Sequence, residues 1–219
     1  MSGERLMVLA TALLTMSPVI SSAGPVSGTV RTTTQPGTPP APAVVYAEPI
    51  DTAPSRRAGA YTLAQKNKSF SPRVLAVPVG STVDFPNNDP IFHNVFSLSG
   101  PQPFDLGLYR SGETRARTFT RPGTYRVFCN IHPQMSAMIL VVPTPHVTVA
   151  DRDGRYVLDL PPGRYRVTAV SERSAPASVE VESSPGAAAA PELTLDESTW
   201  VFVRHKNKFG ADYPASAYK

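Results

Sequence analysis

The stretch Gly123-Thr-Tyr-Arg-Val-Phe-Cys129-Asn-Ile-His132-Pro-Gln-Met135 joins a strand pattern to a loop that carries sulfur and imidazole side chains. Its first half follows the period-two alternation of a β-strand with one buried face. The alternation predicts that Tyr125, Val127 and Cys129 share the inner face. Cys129 then ends a strand with its sulfur directed into the core, immediately before the loop.

The loop after this strand holds donor atoms for a metal. It carries the Cys129 thiol, the His132 imidazole and the Met135 thioether, and a second imidazole, His93, lies on an earlier predicted strand. Two nitrogens, one thiolate and one weak thioether form the ligand set that suits a mononuclear blue copper centre. Because a sheet would anchor both pieces, we expect a site that moves little when one bound copper changes oxidation state.

The composition around this motif favours short strands. The chain has 219 residues, of which 41% are hydrophobic and 17% charged, with 24 prolines and 14 glycines. Its long apolar runs are rich in Val and end at Pro, Gly, Asn or Asp, which excludes a helical bundle and indicates strands separated by turns. We therefore predict an all-β protein with one large domain or two small ones.

The middle of the chain resembles the cupredoxins, the blue copper family that includes amicyanin and plastocyanin. The resemblance rests on His93-Asn94-Val95 and Cys129-x-x-His132-Pro133-x-Met135, framed by Gly80-x-Thr-Val-x-Phe85 and Phe119-x-x-Pro-Gly-Thr-Tyr125. It implies a Greek-key β-sandwich that binds one type 1 copper and shuttles single electrons.

The same resemblance implies roles for individual residues. The implied copper ligands are His93, Cys129, His132 and Met135, the last of them axial. Met138 is the alternative axial ligand, but it lies in the next strand pattern, where a methionine commonly fills a core. Asn94 is expected to tie the two ligand-bearing segments together.

Ile131 departs from the pattern of the family. Amicyanin and plastocyanin carry a proline at this place, and proline has no backbone N–H. We expect the Ile131 N–H to donate to the Cys129 sulfur, which favours the reduced state and raises the reduction potential. The alternative is that this N–H faces a loop carbonyl or water.

The outer segments resemble a second family, the carboxypeptidase regulatory-like or transthyretin-like domains. Val26-Ser-Gly-Thr-Val30 is similar to their opening strand, and Asp151-Arg-Asp-Gly154-Arg-Tyr156-Val-Leu-Asp-Leu-Pro-Pro-Gly163-Arg-Tyr165 is similar to their middle hairpin. In that family the two pieces lie close in sequence, so an inserted cupredoxin and a second, split β-sandwich are implied. Strands at 26–30 and 43–47 are then expected to pair with strands of the third segment.

The predicted organisation follows from these resemblances. It has a signal peptide at 1–23, the first part of the transthyretin-like sandwich with a linker at 24–59, the cupredoxin copper domain at 60–143, the second part of the sandwich at 144–203, and a C-terminal tail at 204–219. The tail is expected to be pinned to the surface or loose. His146 and His205 lie outside the copper domain, and we predict that both are surface residues.

The N-terminus has the pattern of an export signal. Arg5 precedes a short apolar stretch at 6–16, and Ser21-Ser22-Ala23 offers small residues for cleavage near Ala23. A buried N-terminal helix is the alternative. Since no apolar run is long enough for a transmembrane segment, we expect a periplasmic or secreted protein. A lone cysteine in an oxidising compartment needs burial, pairing between chains or a metal.

The charge pattern bears on partners. The formal net charge is +4, and the excess of basic residues belongs to the middle segment. Its arginines are scattered at strand-like spacing, as expected of a solvated face or of a docking surface for an acidic protein. Redox proteins such as an acidic cytochrome c or a periplasmic dehydrogenase are the expected partners. Nucleic acid is not, because no basic run with interleaved aromatics is present.

We expect electrons to pass at the exposed edge of His132. Pro90, Ile91, Pro133 and Gln134 are predicted to form a small, mostly apolar rim around it. The motif lies between two strands, so this edge should sit at one end of the sandwich.

Other functions can be weighed by ligand count and motif. A dinuclear CuA site needs two cysteines, and oxidase or nitrite reductase activity needs more histidines than the 4 present. No nucleophile elbow or glycine-rich phosphate loop occurs, so the chain is not expected to be an enzyme by itself. The alternatives are a periplasmic copper carrier or storage protein and a non-redox adhesion or scaffold module.

Overall fold

The computed structural model describes residues 24–55 and 57–214. The predicted export signal lies outside the described residues. Within them the regular secondary structure consists of β-strands, so the all-β prediction is confirmed. The described part of the chain contains no helix that is long and apolar enough to span a membrane.

The strands follow one another closely along the chain. They are β1 (Gly24–Thr33), β2 (Val44–Pro49), β3 (Ala60–Thr62), β4 (Ala64–Lys66), β5 (Ser69–Ser71), β6 (Val74–Pro78), β7 (Thr82–Pro86), β8 (His93–Ser97), β9 (Phe104–Tyr109), β10 (Thr114–Thr118), β11 (Gly123–Phe128), β12 (Ser136–Val142), β13 (Val147–Val149), β14 (Arg155–Leu160), β15 (Gly163–Val170), β16 (Ala177–Ser183), β17 (Ala188–Ala189) and β18 (Leu193–Asp196).

Strands from the two ends of the described chain enclose one core. In one sheet β1 lies between β14 and β17 and also pairs with β18, and in the other the order is β13-β2-β15-β16. Apolar side chains from both sheets, among them Val26, Val45, Leu158 and Val167, pack together. The expected pairing of the strands at 26–30 and 43–47 with strands of the third segment is therefore confirmed. We call this unit the outer sandwich.

Strands β3–β12 build the unit that carries the candidate site. The five-stranded sheet has the order β6-β12-β11-β8-β9, and the three-stranded sheet has the order β10-β7-β3. Their shared core includes Phe85, Val95, Phe119 and Ile139. The predicted inner face of β11 is confirmed, since Tyr125, Val127 and Cys129 are buried and Arg126 is exposed.

The turn before β11 explains why this strand begins where it does. Gly123 has a φ of 145°, a conformation that an L side chain rarely adopts. The Tyr125 hydroxyl donates to the Arg121 carbonyl at 3.0 Å, which ties the turn to the strand. The Pro-Gly pair therefore fixes where β11 begins, and Cys129 follows the last residue of this strand.

The connection at 97–112 shows no regular alternation in the sequence, yet it contains β9, which pairs antiparallel with β8. The alternation is interrupted because the pairing shifts between Asn94 and Phe96, and Gly107 takes a φ of 75°. β9 covers the edge of the sheet beside His93, whose partner in the pairing is Tyr109.

β12 is buried on both faces because it lies between two cores. Ala137, Ile139 and Val141 face the core of the middle unit. Met138 and Leu140 pack instead with residues of the outer sandwich, such as Val44 and Val170. A strand covered on both sides reads as a continuous apolar run rather than an alternating one, which is what the sequence 137–142 shows.

Candidate metal centre

Two neighbouring strands deliver the candidate ligands to one end of the middle unit. His93 is the first residue of β8, and Cys129 directly follows β11, which pairs with β8. The segment 129–135, named here the ligand loop, carries His132 and Met135 before β12 begins. The side chains that the sequence separates by a long interval therefore meet at the same sheet edge.

The geometry brings one sulfur and two imidazole nitrogens together. The Cys129 Sγ lies 3.9 Å from His93 Nδ1 and 3.6 Å from His132 Nδ1, and the two Nδ1 atoms are 3.1 Å apart. All three donor atoms fall within 4.8 Å of one another. Cys129 and His93 are fully buried, whereas His132 keeps part of its ring accessible.

Met135 lies in the same core as Cys129, and Met138 does not. The Cys129 N–H donates to the Met135 carbonyl at 3.3 Å, and the Met135 N–H donates to the His132 carbonyl at 3.0 Å, so the loop closes on itself. Met135 is fully buried in the core of the middle unit. Met138 packs in the cluster between the two units, away from this loop.

The Cys129 sulfur is surrounded by backbone donors. The Asn94 N–H points to it at 3.5 Å. Burial raises the pKa of the Cys129 thiol, and the N–H groups of Asn94, Ile131 and His132 act in the opposite direction because they favour the thiolate. These backbone N–H groups therefore place partial positive charge next to the sulfur and stabilise the thiolate.

The Asn94 side chain bridges the two ligand-bearing segments. Its Nδ2 donates to Asp105 Oδ1 at 2.7 Å and to the Gly107 carbonyl at 2.9 Å, and its Oδ1 accepts from the Asn130 N–H at 3.3 Å. β8, β9 and the ligand loop are thus held by one amide group.

Asp89 is a residue of the site that sequence reasoning missed. The His93 Nε2–H donates to its Oδ2 at 2.7 Å, which fixes the ring and directs Nδ1 toward Cys129. The carboxylate also accepts the N–H groups of Asn67 at 2.6 Å and Lys68 at 2.8 Å. Burial opposes ionisation of Asp89, but these donors together hold its pKa below the usual value. The only signal in the sequence is an Asp four positions before the His.

The tail also contacts the site, and His205, which was predicted to be a surface residue, is only partly exposed. The His205 ring stacks on Phe128 with 3.9 Å between centroids, and its Nε2–H donates to the Pro133 carbonyl at 2.8 Å. The Tyr213 hydroxyl donates to the Cys129 carbonyl at 2.8 Å. No local pattern in the tail signals these contacts. His146 is partly buried and lies in the outer sandwich, where its Nδ1 approaches the Asp159 carbonyl.

The expected rim is present in part. Pro90 and Gln134 are exposed, and Ile91 is 36% exposed. Pro133 is buried instead, because the tail lies over it. Phe92 and Ile131, at 52% and 39% exposure, add apolar surface that the sequence did not predict.

Comparison with known proteins identifies the middle unit. Residues 59–142 match the family described as copper binding proteins, plastocyanin/azurin family. This segment is a cupredoxin domain. Amicyanin-alpha of Methylorubrum extorquens is 28% identical over 104 residues, which are 46% of this chain and 87% of that protein. Proteins of this family bind copper, and a buried thiol with two imidazole nitrogens is a donor set that fits copper.

Several solved cupredoxin structures are similar to this segment. A purple cupredoxin from Nitrosopumilus maritimus is 25% identical with a TM-score of 0.34, covering 37% of this chain and 98% of that one. Amicyanin from Paracoccus versutus is 24% identical with a TM-score of 0.36, covering 38% and 81%. A copper-containing nitrite reductase from Thermus scotoductus is 33% identical with a TM-score of 0.37, covering 43% of this chain but only 25% of the reductase.

Proposed function

We propose that this protein is an exported type 1 copper protein that carries single electrons between redox partners and is not an enzyme by itself. The observation that carries the proposal is the meeting of the Cys129 sulfur with two imidazole nitrogens within 4.8 Å. The residues that would hold copper are His93, Cys129 and His132, with the Met135 thioether as a weaker donor. When bound, copper supplies a centre that gains and loses one electron.

The residues around the site support electron transfer because they restrict movement. Asp89 fixes the His93 ring, Asn94 ties β8 to the ligand loop, and the loop closes through its own backbone hydrogen bonds. A donor set held in one arrangement changes little between oxidation states, which favours rapid transfer. A carrier that releases its metal would instead need exposed and exchangeable ligands, whereas Cys129 and His93 are fully buried.

The partly exposed ring of His132 is the proposed electron port. Ile91, Phe92 and Ile131 provide exposed apolar surface near the segments that carry the ligands. A partner that docks on this surface would come close to a ligand without needing to enter the protein. We propose a redox protein with an acidic surface, such as a cytochrome c or a periplasmic dehydrogenase, as that partner.

The outer sandwich is proposed to be a transthyretin-like domain that is interrupted by the cupredoxin. Support comes from the pairing of β1 with β14 and of β2 with β15, strands that lie on opposite sides of the cupredoxin in the sequence. The proposed boundaries are 24–59 and 144–203, with the copper domain at 60–143 and export to the periplasm after cleavage near Ala23.

Titration with Cu(II) tests the proposed function. We expect one copper ion per chain and an intense blue band from thiolate charge transfer. Colourless copper that a chelator removes at once would favour the carrier, and no binding would favour a scaffold module.

The Ile131 N–H is expected to tune the reduction potential. Replacing Ile131 by Pro removes this donor to the Cys129 sulfur. The oxidised state then becomes more stable relative to the reduced state. The loss of one hydrogen bond of about 1 kcal/mol corresponds to a fall of about 40 mV in a one-electron potential. Protein-film voltammetry of Ile131→Pro measures it. Ile131→Ala keeps the N–H and serves as the control, and equal potentials for both variants would contradict the assignment.

Lys68 is expected to steer anionic redox partners to His132. Burial, the His93 ring and the Lys68 ammonium hold the pKa of His132 below its usual value, so the Lys68 charge acts at the proposed port. Oxidation of the reduced protein by ferricyanide should slow as ionic strength rises, because salt screens this attraction. Stopped-flow rates at low salt should fall severalfold in Lys68→Gln and stay unchanged in Arg152→Gln, which alters an exposed turn of the outer sandwich. A rate that is independent of salt would refute the steering.

A further inference from the structure

The chain after β18 crosses from the outer sandwich to the ligand loop. Its first part is anchored on the outer sandwich, where the buried Glu197 carboxylate accepts from Ser171 Oγ–H at 2.6 Å and from the Ala41 N–H at 3.1 Å. The Arg173 guanidinium lies 4.3 Å from the centre of the Trp200 ring. The start of this segment is therefore held to the outer sandwich by the contacts of Glu197 and Trp200.

The far part of this segment, residues 205–213, is named here the clasp. It forms hydrogen bonds along the ligand loop: Tyr213 donates to the Cys129 carbonyl at 2.8 Å, the Lys208 N–H donates to Asn130 Oδ1 at 3.0 Å, and His205 donates to the Pro133 carbonyl at 2.8 Å. These acceptors lie at the start and in the second half of the loop. The clasp therefore spans the loop rather than touching it at one point.

The clasp has a defined shape of its own. The Asn207 side chain accepts the N–H groups of Phe209 at 2.9 Å and Ala211 at 3.1 Å, and Lys206 pairs with Asp212 at 2.9 Å. The His205 ring stacks on the Phe128 ring, with 3.9 Å between the ring centroids. It also makes a T-shaped contact with the Tyr213 ring, with 5.2 Å between the centroids. Tyr213 is only 8% exposed, so its hydroxyl bonds to Cys129 in a largely dry setting.

The clasp also reaches the other ligand-bearing segment. Lys208 Nζ donates to Asp105 Oδ2 at 2.6 Å, and Asp105 Oδ1 accepts from Asn94, whose N–H points to the Cys129 sulfur. Burial opposes ionisation of Asp105, but Lys208, Asn94 and the Gly107 N–H hold its pKa below the usual value. One turn of chain thus supports both sides of the candidate site.

We propose that the clasp positions the ligand loop, with Tyr213 and His205 as its positioning residues. The outer sandwich then has a role in the site, because it anchors the segment that leads to the clasp. The inference rests on the proposed function in so far as the ligand loop holds copper. Fixing the carbonyls of Cys129 and Pro133 limits the conformations that the loop can reach, and so favours the arrangement in which the donor atoms meet.

Hydrogen exchange of the copper-free, full-length protein tests the clasp directly. Tyr213→Phe and His205→Phe each keep an aromatic ring and remove one hydrogen bond to the loop. Amides in 130–136 should exchange about fivefold faster in either variant, the equivalent of one hydrogen bond of about 1 kcal/mol. Tyr165→Phe, a similar change at a buried tyrosine of the outer sandwich, is the control and should leave these amides unchanged. Exchange as slow as in the wild type in both clasp variants would overturn the proposal.

A second measurement separates positioning from a merely structural contact. With copper bound, Tyr213→Phe should release the metal to a chelator about fivefold faster and shift the thiolate band, whereas Tyr165→Phe should do neither. Unchanged release and an unchanged band would overturn the positioning role. Faster loop exchange in the copper-free variants supports the clasp whether or not the wild type binds copper. A failure of the proposed function would be seen separately, as a missing thiolate band in the wild type.

Discussion

Replacing Cys129 by Ser should abolish the blue band completely. The intense colour of a type 1 centre is a charge transfer from thiolate sulfur to Cu(II), and a hydroxyl oxygen cannot supply it. The fold should survive because the N–H groups that point to the sulfur, including that of Asn94, can also donate to a serine oxygen. Visible absorption after copper addition, with circular dichroism to check the fold, measures the effect.

Met138→Leu is the matched control for this experiment. It removes a thioether that lies fully buried in the cluster between the two units. We expect the blue band of this variant to match that of the wild type. Retention of the band in Cys129→Ser would refute the copper assignment. A shifted band or a changed reduction potential in Met138→Leu would contradict the choice of Met135 over Met138 as the thioether ligand.

Replacing Asp89 by Asn should weaken both the fold and the copper site. The buried carboxylate accepts from His93 and from two backbone N–H groups, and an amide offers one acceptor oxygen and turns an NH₂ group toward a donor. We expect the free energy of unfolding of the copper-free protein to fall by about 2–4 kcal/mol. Because His93 loses its fixed orientation, copper affinity should fall about 10–100-fold.

Urea denaturation and competition with a copper chelator measure these two effects. Asp84→Asn is the control, since Asp84 lies on β7 in the same domain and is only partly buried. If Asp89→Asn resembles Asp84→Asn in both measurements, Asp89 neither stabilises the domain nor orients His93.

The strand pattern could be predicted because alternation is a local property. The inner face of β11 is read from its own residues, and the Pro-Gly turn before it marks where the strand begins. This turn does not form a hairpin, because β10 pairs with β7 and β11 pairs with β12 and β8. β9 could not be predicted in this way, because Gly107 and the shift of pairing with β8 break its alternation. β12 reads as a continuous apolar run, and only the packing against Val44 and Val170 shows why.

The hairpin of β4 and β5 illustrates the same limit at the site. Asn67 and Lys68 form its turn, and both have positive φ, 54° and 51°, although neither is a glycine. Asn commonly adopts this conformation, but Lys rarely does. The two N–H groups of this turn donate to Asp89, so a carboxylate from another part of the chain stabilises a turn that its own residues do not favour.

The sequence by itself determined the class of fold, the strand that carries Cys129 and the soft donor set of the ligand loop, because these features depend on neighbours within a few residues. Tertiary structure alone decided what surrounds that set. Tyr213 reaches the Cys129 carbonyl across 84 positions of sequence, and Lys208 reaches Asp105 across 103. Such contacts leave no periodicity in either segment, because each depends on how two segments that are distant in sequence pack against each other.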